Sequence, residues 1–379
     1  MTETIWITGI GLVSSLGEGT EVHQAALGGA APVVDADTFA PYPVHPLPAL
    51  DLDRQIPKKG DQRQMEPWQR LGTYAAGLAI DHAGARDLVR DMHLIVAAGG
   101  GERDVALDEA VCAEIARLPP EEGAKLLNER LASGLRPTLF LAQLSNLLAG
   151  NISIVHGVTG SSRTFMGEES AAADAVRIAA ARLGEGRGGI ALVGGAYVAG
   201  RWDMLLLYSA SGQLRRGDWV PLAQRQDAGG GLVTGTAAAF LVLETESHAK
   251  ARGARGIARL TAVRSAAARR RGADTAEAAA TRLAAGLPLA PGYAVVSGAT
   301  GAAVPTAAEA AFLAGLRDSG PVQGKVVQSA DLIGHPVEAA FPADIALGAL
   351  AVAGGAAPQA LVTGFGVWRG EALALVEAP

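Results

Sequence analysis

Several short stretches of this 379-residue chain hold side chains that could do chemistry. In Thr164-Phe165-Met166-Gly167-Glu168-Glu169-Ser170-Ala171, two carboxylates stand where a strand-like run passes through a glycine into an alanine-rich helical pattern. Acids in the first turn of a helix gain about 0.3–1 kcal/mol from the free N–H groups and the helix dipole. The same helix start can hold an anion, so Glu169 reads either as a helix-start acid or as a carboxylate filling an anion-binding spot. Further on, Ser297-Gly298-Ala299-Thr300-Gly301 precedes Thr306 and Glu309, and Leu332-Ile333-Gly334-His335-Pro336 carries a histidine. A lone His after Gly suits a core position hydrogen-bonded to backbone, or recognition of a carbonyl. Gly364-Phe365-Gly366 gives backbone freedom around one aromatic, which suits a swinging loop as well as a ring that fills core.

Other candidates carry less. The single cysteine, Cys112, lies in the amphipathic pattern of Asp108 to Arg117 and reads as a small buried or half-buried residue; one cysteine also excludes an internal disulfide. His23, His45, His82, His93, His156 and His248 show no paired helical spacing and no Cys neighbour, so no metal is expected. Gly99-Gly100-Gly101 runs at once into Glu102-Arg103-Asp104 without a Gly-Lys-Ser/Thr, which reads as a turn, and no cofactor is expected. The charged stretch Lys58 to Glu66 reads as a solvated loop.

The elements that must position these residues follow from composition and pattern. Hydrophobic residues make up 49% but aromatics only 4%, and 49 glycines allow close packing, as in a layered α/β protein. A net charge of −6 leaves no basic surplus for nucleic acid. Apolar runs such as Ala237 to Leu243 fall short of the roughly 20 residues of a membrane helix, so no membrane insertion is expected. Met1 to Gly17 reads as a strand entering a glycine turn rather than a secretory leader, which points to the cytoplasm.

Short aliphatic runs ending in glycine alternate with alanine-rich helical stretches, the pattern of parallel strands joined by crossover helices. Ile5 to Gly9, Leu94 to Gly99 and Ile190 to Gly194 are the clearest early strands; Thr73 to Ala83 and Ser170 to Leu183 are helices with small residues on every side, hence buried. The order returns in the second half: a strand at Gly256 to Ala262, a helix at Ala276 to Ala285, a strand at Tyr293 to Gly298, a helix at Asp344 to Val352 and a strand at Ala360 to Gly364. The polar stretch Thr245 to Gly253 divides a 1–245 half from a 246–379 half, and the proline-rich stretch Val33 to Lys59 reads as a surface excursion.

In order along nearly the whole chain, several segments resemble the β-ketoacyl-acyl-carrier-protein synthases. They are Ile7 to Gly17, Asn146 to Ile154, Ala228 to Glu244 (with Thr236 where that family usually has Glu), Gly364 to Gly366 and Glu371 to Val376. The resemblance implies a thiolase-like, five-layered α-β-α-β-α fold of two similar halves, paired as a dimer through a strand near Ser161 to Phe165. It also implies a cysteine nucleophile at a strand-to-helix turn, and an ungapped match back from Gly194-Gly195 puts Glu169 there. The family's first catalytic histidine is matched by Ser297 or Gly298 and its lysine by Ala330; the second histidine is retained as His335. Gly364, Phe365 and Gly366 would line the substrate channel.

A carboxylate cannot form the thioester that transacylation needs. The resemblance therefore points to a chain-length-factor-like subunit in fatty acid biosynthesis, partnered by a Cys-bearing synthase as a heterodimer, or else a homodimer, and working with an acyl carrier protein that Lys59 or Arg63 would meet. A narrower resemblance is to non-catalytic homologues linked to very-long-chain fatty acids of lipid A. The alternatives are a malonyl-carrier decarboxylase that relies on His335, and an active acyltransferase whose nucleophile lies elsewhere, with Cys112 the thiol to test.

Overall fold

The computed structural model describes residues 3–379. Its long strands are β1 (Ile5–Ser14), β2 (His93–Ala97), β3 (Ser162–Phe165), β4 (Ile190–Tyr197), β5 (Ala237–Thr245), β6 (Ala258–Ala266), β7 (Tyr293–Ser297), β8 (Gln323–Gln328), β9 (Gln359–Phe365) and β10 (Glu371–Glu377). They run in the order β3-β2-β4-β5-β1-β6-β10-β9-β7-β8. The first five and the last five strands repeat one arrangement, with the first strand of each set innermost. The sense repeats as well: β2 is parallel to β3 and β4, β7 is parallel to β8 and β9, and the remaining long neighbours are antiparallel. The two sets meet only where Trp6 and Ile7 of β1 pair with Arg259 and Ala258 of β6.

The helices used below are α1 (Pro67–His82), α2 (Val105–Ile115), α3 (Leu147–His156), α4 (Glu168–Gly184), α5 (Trp202–Ala210), α6 (Ala276–Ala284), α7 (Ala303–Ser319) and α8 (Ala340–Ala353). α4 and α8 form the middle layer. Their alanines share one core with Ile7 and Leu12 of β1, Val193 of β4, Leu241 of β5, Val362 of β9 and Ala374 of β10. The opposite faces of the first set, through Leu192 and Phe240, pack on α1 and α3. Those of the second, through Val295 and Leu361, pack on α6 and α7. Alternate strand residues thus serve different layers, as the two-residue period of a pleat demands. A register shift between Ile7 and Gly9 lets Ile7 and Ile10 face the same layer although they are three apart. The result is the thiolase-like five-layered fold.

β1 can lie against α1 because Gly9 and Gly11 lack side chains. A Cβ on Gly11 would run into the Ala75 carbonyl oxygen, and one on Gly9 would sit 2.7 Å from Ala83 Cβ. Gly11→Ala is therefore expected to lower stability by about 1–3 kcal/mol, the range for overpacking a tight core. The urea midpoint is the measurement, and an unchanged midpoint would show that α1 can move aside.

Three expectations are corrected. Lys59–Gln64 is a short helix rather than a loop, held because Gln62 is buried and donates to Asp53 Oδ1 at 2.7 Å and to the Ile56 carbonyl at 2.6 Å. The Val33 to Lys59 stretch is not only a surface excursion: Tyr42 to His45 are buried, and His45 bridges to Gly235. Cys112 is exposed on α2, whose buried residue is Val111. Of the two readings of Phe365, the structure shows the core-filling one: it ends β9 with its ring centroid 6.0 Å from that of Phe312. Among the described residues, no helix is long and apolar enough to cross a membrane.

Candidate functional site

β3 stops at Phe165, and the chain reverses through Met166 and Gly167 into α4. The reversal puts Gly167 at φ 137° and Glu168 at φ 50°, a left-handed backbone that a residue with a side chain adopts at a cost of about 1–2 kcal/mol. The turn sends the two acids in opposite directions. Glu168 faces outward and pairs with Arg369 at 3.1 Å, whereas Glu169 is turned inward and is only 8% exposed. Its Oε1 accepts a hydrogen bond from His335 Nε2 at 2.8 Å and from the Val367 N–H at 3.3 Å.

His335 is fixed from its backbone. Gly334, at φ 69°, turns the chain, the His335 N–H donates to the Val233 carbonyl at 2.8 Å, and the His335 carbonyl accepts from the Gly235 N–H at 3.1 Å. The Val367 segment is fixed by Arg270, which donates to the Gly366 carbonyl at 2.7 Å, the Val367 carbonyl at 3.0 Å and Glu371 at 3.0 Å. Burial works to raise the Glu169 pKa. The His335 hydrogen bond and charge, with the N–H groups of Glu169 and Val367, outweigh it and hold the carboxyl below the ordinary carboxylate value.

Of the remaining residues singled out from the sequence, Gly298, Gly364 and Phe365 border the same place, and Ser297 and Ala330 do not. Gly298 N–H donates to Thr363 Oγ1 at 3.0 Å, and a Cβ at this glycine would strike the Thr363 carbonyl oxygen. Ser297 Oγ donates to Glu309 Oε2 at 2.7 Å, and Thr363 also donates to that carboxyl, so the Ser297 hydroxyl points away into a buried network. Ala330 is buried in the turn Ser329–Leu332. Glu169, Gly298, His335, Gly364 and Phe365 border one chamber of about 280 Å³, and Glu169 Oε2 lies 3.1 Å from where a Cβ on Gly366 would stand. Cys112 is not part of that wall. Among the described residues there is no group of three or more His, Cys, Asp or Glu placed to hold a metal ion.

Two buried acids were not anticipated. Asp344 of α8 lines the same chamber and is 3% exposed, and burial pushes its pKa well above the ordinary carboxylate value. Glu338, three residues after His335, points at Gly99 beside Tyr197 and Arg201. Burial raises its pKa from 4.5 to about 7. An acid in a helical-looking stretch gives no hint of depth; the signal available was the row of small residues at Gly99 to Gly101 and Gly194 to Gly195, which leaves room for it.

Glu338→Gln tests that burial. A raised acid costs no stability below the unfolded-state value, where both states are protonated. The cost grows as pH rises from 4.5 toward 7 and is constant above. At about 1.4 kcal/mol per pKa unit, Glu338→Gln is expected to gain about 3 kcal/mol at pH 8 and nothing at pH 4. Urea unfolding at the two pH values checks this, and equal effects at both would refute it.

Known proteins share this fold. Residues 46–249 match the family described as the beta-ketoacyl synthase, N-terminal domain. The 3-oxoacyl-(acyl-carrier-protein) synthase 2 of Vibrio harveyi is 28% identical over 264 residues, which are 67% of this chain and 60% of that protein. The chain thus spans about 60% of the length of this curated relative. The ishigamide ketosynthase/chain length factor superposes with a TM-score of 0.81 at 19% identity, covering 100% of both chains. A type II PKS acyl-carrier protein in complex with its ketosynthase, bound to the hexaketide, gives 0.76 at 17% identity, again with 100% of both covered. At those identities the two solved structures share the fold alone. With the family match covering more than half of its length and the thiolase-like fold complete, the chain belongs to the beta-ketoacyl synthase family.

Proposed function

We propose that this chain is a non-condensing member of the family, acting in fatty acid biosynthesis as the chain-length-factor-like partner of a Cys-bearing synthase that is served by an acyl carrier protein. The observation that carries this reading is the buried Glu169–His335 pair at the start of α4, where the family's pattern places the sulfur. The donors that a thioester oxygen would use there, the His335 Nε2–H and the Val367 N–H, are already spent on a carboxylate. At the positions matched to the histidine and lysine, Gly298 and Ala330 offer no side-chain donor, and the Ser297 hydroxyl is committed to Glu309. A decarboxylase would have to build an enolate beside the Glu169 negative charge, which the same pair opposes.

In this reading residues 1–245 and 246–379 are the two related halves, and the free edge of β3 is the dimer surface. β3 ends the sheet order, and Met166 just beyond it is 66% exposed. Lys59, held by Asp53 at 2.6 Å, and the exposed Arg63 sit on one short helix as contacts for an acidic carrier.

Mixing supplies the test. The isolated chain is expected to release no carbon dioxide from malonyl carrier and to take up no acyl group at Cys112. A Cys-bearing synthase from the same source is expected to elongate only, or to a different product length, when this chain is added. Carbon dioxide release by the isolated chain that disappears in His335→Ala, or an acyl adduct on Cys112, would replace the partner role with an active one.

A further inference from the structure

The sheet order ends at β3 on one side and at β8 on the other, and β8 holds in the second half the place that β3 holds in the first. β8 pairs with β7 alone, and the register between them slips: Tyr293 faces Gln323 and Val295 faces Val326, so β8 uses three residues where β7 uses two. Strict alternation would send Gln323 and Val326 to opposite sides of the sheet. The extra residue of this bulge turns Gln323, Val326 and Gln328 to one side. There they form one wall of a groove of about 280 Å³, and Thr306, Ala310, Leu313 and Arg317 of α7 form the other.

The walls carry polar groups that nothing in the chain answers. The Oε1 atoms of Gln323 and Gln328 are buried and have no hydrogen-bond donor among the described residues, a state that native proteins rarely leave without a partner. Between them the groove is apolar, with Leu222, Leu313 and Val326. Two further apolar side chains, Val304 in the first turn of α7 and Val322 just ahead of β8, are exposed.

The charges favour one sign of guest. Arg317 in the last turn of α7 and Lys325 on β8 are exposed cations, and neither has an ion pair among the described residues. Lys325 Nζ donates to the Leu27 carbonyl at 2.6 Å, which uses the ammonium without neutralising it. Glu309 also borders the groove, but its two oxygens are taken by Ser297 and Thr363, and burial raises its pKa. Asp318, the neighbour of Arg317, is not on the groove wall.

The length and the open edge select the shape of the guest. Thr306 to Arg317 covers about 16 Å of α7 at 1.5 Å per residue, which an extended segment of about five residues spans. Such a segment can pair its backbone with the free edge of β8, whereas a helix has already used those groups on itself. A second copy of β8 fits poorly. Antiparallel pairing of two identical edges would set bulge against bulge and Lys325 against Lys325, the devices by which natural edge strands avoid one another.

We propose that the free edge of β8 and the groove beside α7 take an extended acidic peptide of a partner protein as one more strand, its carboxylates on Arg317 and Lys325 and its hydrogen-bond donors on Gln323 and Gln328. The inference goes beyond the role assigned above and does not rest on it, because β8 lies at the opposite end of the sheet from β3 and binding is read on the isolated chain.

The experiment is fluorescence polarisation of a dye-labelled hexapeptide of alternating glutamate and valine, titrated with the full-length protein. Saturable binding is expected. A peptide with lysine for glutamate, and one with proline for valine, which lacks N–H groups for the edge, should each bind at least about fivefold more weakly. Arg317→Glu and Lys325→Glu should each weaken the acidic peptide about fivefold, the size of one exposed ion pair, and together should turn the preference to the lysine peptide. Ala310→Trp, at an exposed position that folding tolerates, fills the groove without touching charge and should weaken binding on the order of tenfold. No binding at millimolar protein, equal binding of the acidic and lysine peptides, undiminished binding of the proline peptide, or indifference to Ala310→Trp would each overturn the strand site. A dimer that Ala310→Trp dissociates in sedimentation would overturn it too, giving the edge to a second copy. Stimulation of a Cys-bearing synthase is assayed on the same samples. Peptide binding without stimulation removes only the role assigned above, and stimulation without peptide binding removes only the strand site.

Discussion

Glu169→Ala is expected to cost about 1–3 kcal/mol of folding stability, the penalty for leaving buried donors without their acceptor. The pair is buried at the chamber wall: Glu169 is 8% exposed, His335 is 4% exposed, and the Val367 N–H adds to the carboxylate's contacts. Truncation would leave the His335 Nε2–H without an acceptor and the Val367 N–H without its side-chain partner. Glu169→Gln, which keeps an acceptor oxygen, should lose less. The pH dependence follows from the lowered carboxyl pKa. Such a group stabilises fully above the unfolded-state value of about 4.3 and loses that contribution as pH falls through its lower folded value. The gap between wild type and Glu169→Ala should therefore close on acidification below about pH 4. Urea unfolding from neutral to acid pH measures it, and a gap that is absent at pH 7 or constant with pH would remove the hydrogen-bonded pair from the account.

Glu169→Cys carries the largest expected effect on reactivity. A thiol at the start of α4 would meet the free N–H groups of the helix and the His335 ring, both of which favour thiolate. Acyl transfer from carrier to this cysteine is expected, visible as one acyl mass added per chain where wild type shows none. Condensation is not expected to follow. General acid–base groups contribute about 10²–10⁴-fold each, and the positions matched to the family's histidine and lysine are Ser297 or Gly298 and Ala330, so turnover should stay at least roughly 10²-fold below that of a Cys-bearing synthase. Adding Gly298→His should not rescue it, because the Thr363 carbonyl oxygen occupies the space of its Cβ. Turnover restored by Glu169→Cys alone would show that this site needs neither group.

Much of the architecture was legible because the pleat and the helix write different periods. Ile190 to Gly194, Tyr293 to Gly298 and Ala360 to Gly364 announced themselves as aliphatic runs closed by glycine, and all three fall on strands. β8 was not anticipated, since its residues, Gln323 to Gln328, include exposed polar side chains on the outermost strand and lack an apolar run. The helix Lys59–Gln64 was hidden for a related reason: its buried member is a glutamine held by hydrogen bonds, which hydrophobic spacing does not register. The convergence of Glu169, His335 and Gly298 was anticipated only through the resemblance to the β-ketoacyl synthases, which implies one site for the matched positions. The environments of Asp344 and Glu338 were not, since desolvation depends on what the fold stacks above a residue. Cys112 failed in the opposite direction, as α2 buries Val111 and turns its neighbour outward.

Glu169 and His335 are 166 positions apart, and β1 zips to β5 across a comparable span, from Ile5 to Thr245. Contacts of such long reach pay a loop-closure cost before they give anything back, so this topology should fold slowly and through populated intermediates. On the ribosome, β1 must wait for β5, and the inward-turned carboxylate of α4 must wait for His335. Until then, closing the middle layer would bury an acid without its partner, which disfavours early closure and leaves apolar strand faces open to chaperones or to a second subunit.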